Sequence, residues 1–193
     1  MLPDYFHFLL TGQKCSEYTN ATSTQLINAQ TNDWDRELIE RLGYPQEMFL
    51  PLSQPGTLVG SFTKEIEEEV GFSCEVVLPA THDTGSAVMA LPGEGDKNLY
   101  ISSGTWSLMG IENKTAICTE ESRKRNFTNE GGYEYRYRYL KNIMGLWMIQ
   151  SVRKELENKY SFAELCAMAS RRSDFPSRVD VNDPVFLAPD SMI

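Results

Sequence analysis

Asp83 follows a short apolar segment, Glu75-Val76-Val77-Leu78-Pro79, that runs through Ala80-Thr81-His82-Asp83-Thr84-Gly85 into the small residues Ser86 to Ala90. A carboxylate at the C-terminal end of a strand in an open α/β sheet stands where ligands usually bind. It can act there as a general base, drawing the proton from a hydroxyl before in-line attack on a phosphoryl group. The same Asp at a helix start can instead cap that helix, and an isolated Asp in this setting more often does so. His82 and Thr84 flank it and offer polar atoms to a polyhydroxy ligand, although a single His is more often a satisfied structural residue.

A second group is Ser102-Ser103-Gly104-Thr105-Trp106-Ser107. A glycine turn with flanking hydroxyls can present N–H groups and Oγ atoms to phosphate oxygens, or it can be an ordinary hairpin turn. The chain contains neither G-x-x-x-x-G-K-[ST] nor G-x-G-x-x-G, so a P-loop and a dinucleotide fingerprint are both excluded. Asn129-Glu130-Gly131-Gly132 reads as a tight turn. Asn142 stands before a helical stretch, where it can cap the helix or pair with a sugar hydroxyl. Gln150 falls within that stretch, on its more polar side.

The elements that must position these residues follow from periodicity and punctuation. Residues 1–10 read as an amphipathic helix with Pro3 in its first turn and Tyr5, Phe6, Leu9 and Leu10 apolar. Asp35 to Leu42 reads as a second helix, with Leu38, Ile39 and Leu42 on one face and Gly43 as its stop. Thr63 to Val70 reads as a third, its outer face carrying Glu67, Glu68 and Glu69, with Gly71 at its end. Glu75 to Pro79 is expected to be a buried strand. Asn98 to Ser102 and Trp106 to Ile111 are expected as paired strands, and residues 133–139, alternating Tyr with charge, as an exposed strand. The longest helix is expected from Ile143 to Asn158. Pro92-Gly93-Glu94-Gly95-Asp96 reads as a linker between two halves of an α/β architecture.

Composition sets the outer limits. The 193 residues are 41% hydrophobic and 23% charged, a globular profile, and the net charge of −9 argues against a nucleic-acid groove. Cys15, Cys74, Cys118 and Cys166 form no C-x-x-C pair, and His7 and His82 are the only histidines. The pattern predicts reduced thiols and no metal site. No apolar run approaches a membrane span, so a cytoplasmic protein without a membrane partner is expected. Both ends read as cut, since the chain opens directly into a helix and stops at Ser191-Met192-Ile193.

Several strings, taken in order, resemble the FGGY carbohydrate kinases, and most closely the branch acting on L-rhamnulose. They are P-A-T-H-D-T-G-S-A-V from Pro79, Y-I-S-S-G-T-W-S-L-M-G from Tyr100, N-F-T-N-E-G-G from Asn126 and R-Y-R-Y-L-K-N-I-M-G-L-W from Arg136. Upstream, P-D-Y-F-H-F-L-L-T-G and E-Y-T-N-A-T-S-T-Q-L have the same look. The resemblance implies an actin-like, ribonuclease-H-like fold in parts of two domains. Residues 1–92 would close the first, sugar-binding domain and residues 93–193 would open the second, ATP-binding one.

It implies transfer of the ATP γ-phosphoryl group to L-rhamnulose, with Mg²⁺, giving L-rhamnulose 1-phosphate. By the same resemblance Asp83 matches the catalytic base, and His82, Asp83, Thr84 and Asn142 match sugar-binding positions. Gly104, Thr105 and Gln150 match ATP-binding ones. The family's N-terminal phosphate hairpin and later adenosine motif have no counterpart here, so a truncated chain with negligible turnover is expected. Fuculose, xylulose or glycerol kinases of the same family, and a non-catalytic sugar- or nucleotide-binding module, stand as alternatives.

Overall fold

The computed structural model describes residues 1–92 and 98–193. The expected linker therefore lies largely outside the described residues, as Gly93 to Asp96 are not among them. The chain divides into two compact units. The first takes in Met1–Leu99 and Gly110–Leu140, the second Tyr100–Met109 and Lys141–Ile193.

The first unit begins with α1, Leu2–Thr11, with Pro3 in its first turn and Gly12 at φ 69 ending it. Its inward side is polar: Asp4 and Thr11 are buried, whereas Tyr5, Phe6 and Leu9 are exposed, so the apolar stripe read from the sequence does not face the interior. Strand β1, Ser16–Glu17, leads into the single-turn helix α2, Tyr18–Ala21. A short antiparallel pair, β2 (Ile27–Asn28) and β3 (Asp33–Trp34), precedes α3, Arg36–Arg41. Asp35 caps α3 by accepting from the Leu38 N–H at 3.0 Å. Ile39 is buried with Ala21 and Trp34, and Leu26, Ile27, Phe49 and Leu52 pack on this core. Leu42, expected on the same face, is exposed because it lies beyond the last helical turn.

Strand β4, Leu52–Ser53, pairs in parallel with β1. Strand β5, Leu58–Ser61, and helix α4, Lys64–Val70, follow, the helix capped by Thr63 and ended by Gly71 at φ 79. Strand β6, Glu75–Val77, pairs antiparallel with β5. The expectation of a buried strand here is corrected: Val76 and Leu78 are buried but Val77 is 51% exposed, the alternation of a strand covered on one face. Helix α5 runs Asp83–Met89.

A four-stranded sheet is built from β7 (Leu99–Ser103), β8 (Trp106–Asn113), β9 (Phe127–Gly131) and β10 (Tyr137–Met144), in the order β7-β8-β10-β9. Helix α6, Glu120–Lys124, connects β8 to β9. Two sequence expectations change here. Asn129 to Gly131 belong to β9 rather than to a turn. Residues 133–135 form a short 3₁₀ segment, and the strand after it is not an exposed one: Tyr137, Arg138 and Leu140 are buried. Tyr18 and Tyr137 both donate to Asn32 Oδ1. Burial, with the Tyr137 hydroxyl adding to it, pushes the Tyr18 phenol above its ordinary range, so it remains a donor.

In the second unit the long helix is shorter than its periodicity suggests. Ile143 and Met144 finish β10, and α7 runs Trp147–Glu155. Helix α8, Phe162–Ser170, opens with a capping box between Ser161 and Glu164. No residue from Lys141 to Ile193 is buried. Backbone hydrogen bonds in such a segment open with little loss of apolar burial. Amide hydrogen exchange should therefore reach α7 and α8 well before α2 and residues 137–140; equal protection in both regions would contradict this.

Candidate active site

Glu17 is fully buried and accepts five hydrogen bonds, from the Thr19 N–H (2.8 Å) and hydroxyl (2.7 Å), the Asn20 N–H (3.0 Å), and the Thr81 N–H (3.1 Å) and hydroxyl (2.7 Å). Burying an unpaired carboxylate is strongly unfavourable, so it persists only where donors replace its water. These donors come from two distant parts of the chain. The start of α2 and the residue before His82 are thereby fixed to the same group.

The next residues are held as tightly. Ser86 Oγ donates to the Ala80 carbonyl at 2.6 Å. Gly85 leaves little space for a side chain, since a Cβ there would lie 3.3 Å from Ala80 Cβ. His82, not Asp83, occupies the N-cap of α5, and its side chain makes no capping bond. Asp83 therefore stands at the first helical position, exposed, where a negative charge suits the helix N-terminus. Among the described residues its hydrogen bonds come only from Thr84, to Oδ1, from the N–H at 2.6 Å and the hydroxyl at 3.3 Å. The capping role open from sequence alone is thus not the one Asp83 fills, and Oδ2 accepts no hydrogen bond among the described residues.

His82 is oriented by Arg138, which is 1% exposed. The guanidinium reaches His82 Nδ1 at 3.2 Å, Glu130 Oε2 at 3.2 Å and the Gly131 carbonyl at 3.2 Å. A guanidinium only donates, so His82 Nδ1 must accept and the neutral ring carries its proton on Nε2. The Nδ1–Glu130 separation of 3.8 Å is too long for a hydrogen bond. The result is a ring whose remaining nitrogen is a donor. Gly131 is fixed against Tyr18 and Thr22: a Cβ there would fall 2.5 Å from Thr22 Cγ2 and 2.6 Å from Tyr18 Cε1.

Glu17, Glu130 and Arg138 were not singled out by sequence reasoning. Glu is not among the usual capping residues, and an Arg among tyrosines looks like a solvated strand face.

The other residues named from sequence lie in the second unit. The turn at Gly104 and Thr105 joins β7 to β8, with the Gly104 N–H donating to the Trp106 carbonyl at 2.9 Å. Its own carbonyls face α7: Gly104 accepts from the Leu146 N–H at 3.0 Å and Thr105 from the Trp147 N–H at 3.1 Å. Gly145 makes this approach possible, since a Cβ there would meet the Gly104 and Thr105 carbonyl oxygens at 2.7 Å. The Thr105 side chain is exposed, as is Gln150 on α7. Asn142 is exposed on β10 and caps nothing, because α7 begins five residues later. His82, Asp83 and Thr84 are thus consecutive in the first unit, while Gly104, Thr105, Asn142 and Gln150 belong to the second.

Residues 1–90 match the N-terminal domain of the FGGY family of carbohydrate kinases, and residues 99–193 match its C-terminal domain. Rhamnulokinases from Halalkalibacterium halodurans, Oceanobacillus iheyensis and Bacillus subtilis are 58%, 55% and 44% identical over the whole of this chain. The chain spans 41%, 41% and 40% of their respective lengths. Among solved structures, ligand-bound xylulose kinase from Lactobacillus acidophilus matches 87% of this chain and 34% of its own, at a TM-score of 0.74 and 18% identity. Plasmodium falciparum glycerol kinase with ADP matches 89% of this chain and 34% of its own, at a TM-score of 0.70 and 14% identity.

Two substitutions test the local geometry. Glu17→Gln replaces an acceptor of five bonds by an amide that must turn two N–H donors toward other donors. It should destabilise the first unit by about 2–4 kcal/mol in urea unfolding; a loss under about 0.5 kcal/mol would show that Glu17 is not the anchor. Gly145→Ala should displace the 104–105 turn, with amide resonances of Gly104 to Trp106 shifting in NMR while those of residues 17–21 stay in place.

Proposed function

The chain belongs to the FGGY family of carbohydrate kinases, with the actin-like, ribonuclease-H-like fold of that family in parts of two domains, and we propose that its protein phosphorylates L-rhamnulose at the expense of ATP. The product would be L-rhamnulose 1-phosphate. The observation that carries the choice of sugar is the 58% and 55% identity to rhamnulokinases along all 193 residues. The structural neighbours named for xylulose or glycerol fall below 20%. Residues 1–92 are assigned to the sugar-binding domain and 93–193 to the ATP-binding domain.

Asp83 is the base in this reading. Its free Oδ2 takes the proton of the sugar hydroxyl as that oxygen attacks the γ-phosphorus. His82 donates from Nε2 to another hydroxyl, its tautomer held by Arg138. Thr84 and Asn142 complete the sugar contacts. Gly104, Thr105 and Gln150 hold the nucleotide, which enters as a co-substrate. The exposed Thr105 hydroxyl suits a phosphate oxygen.

Mg²⁺ is expected to accompany the ATP phosphates. The metal-type cluster found among the described residues, Asp4, His7 and Cys15, mixes sulfur and nitrogen donors that do not suit an oxygen-seeking ion, so no residue here is assigned to Mg²⁺. No described helix is long and apolar enough to cross a membrane, and a cytoplasmic location belongs to the same proposal. Phosphoryl transfer rests on positioning and on charge stabilisation around the whole nucleotide. The 193 residues alone, at about two-fifths of a relative's length, are therefore assigned negligible turnover.

The test uses the full-length enzyme. Asp83→Asn should lower kcat for L-rhamnulose by about 10²–10⁴-fold and leave the KM for ATP within a few-fold. A near-normal kcat would remove Asp83 from the role. A higher kcat/KM on xylulose, fuculose or glycerol than on rhamnulose would reassign the substrate.

A further inference from the structure

Away from residues 82–84, three side chains with metal-binding chemistry meet in the first unit. Asp4 and His7 are three residues apart on α1, a spacing that puts both on one helix face. Gly12, at φ 69, turns the chain back after α1 and returns Cys15 to that face. One donor atom from each of Asp4, His7 and Cys15 lies within 4.8 Å of the other two. Bonds of roughly 2.0–2.3 Å to a tetrahedral ion place donors roughly 3.3–3.8 Å apart, so a contraction of about 1 Å, within the reach of small rotamer adjustments, closes the set.

Three further observations point to a ligand. His7 Nδ1 is buried and has no hydrogen-bond partner, an uncommon condition for a ring nitrogen. Asp4 is buried and already oriented: Oδ1 accepts the Glu17 N–H at 3.0 Å, the kind of outer bond that holds a ligating carboxylate in place. Two of the three, Asp4 and Cys15, also border a cavity of about 330 Å³ lined by Lys14, Ser16, Met48 and Leu50 among others, which gives an ion a route to them from the side away from His7.

We propose that Asp4, His7 and Cys15 form a three-ligand site for a divalent ion of the zinc class, with the fourth position open to water. Thiolate, imidazole and carboxylate together favour such an ion over Mg²⁺ or Ca²⁺, which take oxygen. Binding forms the sulfur–metal bond and releases the thiol proton to solvent; no oxidation state changes.

Cobalt(II), a coloured stand-in for zinc, tests this on the 193-residue chain. Titration should raise a near-ultraviolet thiolate-to-cobalt band that saturates at one ion per chain and is displaced by zinc. Cys15→Ser should abolish the band, and His7→Gln should weaken cobalt binding by at least the roughly 10- to 100-fold that loss of an indirectly supporting group causes. Absence of the band, its survival in Cys15→Ser, or unchanged affinity in His7→Gln would each overturn the proposal. X-ray absorption on the zinc-loaded wild-type chain needs no variant to fold: a sulfur and an imidazole in the coordination shell support the site, and a shell of oxygens alone refutes it.

Discussion

The geometry before Asp83 depends on the carboxylate of Glu17, which is closed off from solvent and ringed by donors from Thr19, Asn20 and Thr81. A buried charge is an unforgiving fastener, since each donor lost from its ring leaves part of its desolvation penalty uncompensated. That penalty makes the arrangement specific. Residues 17 and 81 are far apart in sequence, and only the folded backbone brings both sets of N–H and O–H groups to one place. Helix α5 then starts from a fixed point, and the side chain at its first position inherits that precision.

Arg138 performs a second version of the same task from the other direction. Its guanidinium spans His82, Glu130 and the Gly131 carbonyl, so strand β9, strand β10 and the N-cap of α5 share one cation. The two anchors differ in what they specify. Glu17 sets where the backbone goes, while Arg138 decides which nitrogen of His82 carries a proton. Glu130 pairs with the guanidinium and the Gly131 carbonyl accepts from it, so the cation can stay buried.

Much of the local structure was legible in the sequence because it rests on short-range chemistry. Helix starts at Asp35 and Thr63, and Gly43 and Gly71 as stops, are set within one helical turn, and the pairing of β7 with β8 follows from the turn at 103–105. The misreadings share a different cause. Arg138 looked solvated because alternation with tyrosines says nothing about which strand lies opposite. Asn129 to Gly131 looked like a turn because their intrinsic preference is for turns, yet Gly131 is held extended against Tyr18 and Thr22, more than a hundred residues upstream. Helix α7 looked longer because Ile143 and Met144 fit a helical period, but the close approach at Gly145 ends β10 and sets the start of the helix. Glu17 left no short-range mark at all. Roles for Asp83, His82, Thr84, Asn142, Gly104, Thr105 and Gln150 came from family resemblance, which summarises long-range constraints that no window of neighbours contains.

The second unit is organised by backbone contacts more than by packing. The 104–105 carbonyls receive the first N–H groups of α7, and Glu155 gathers the Ser191 hydroxyl and the Met192 N–H at 2.7 Å each. Because no residue from Lys141 onward is buried, these bonds organise a segment whose apolar side chains are at most partly covered. Denaturant sensitivity and the heat-capacity increment both scale with the surface released. For this chain both quantities are weighted towards the first unit, which holds every buried side chain among the described residues except Tyr100 and Ser107.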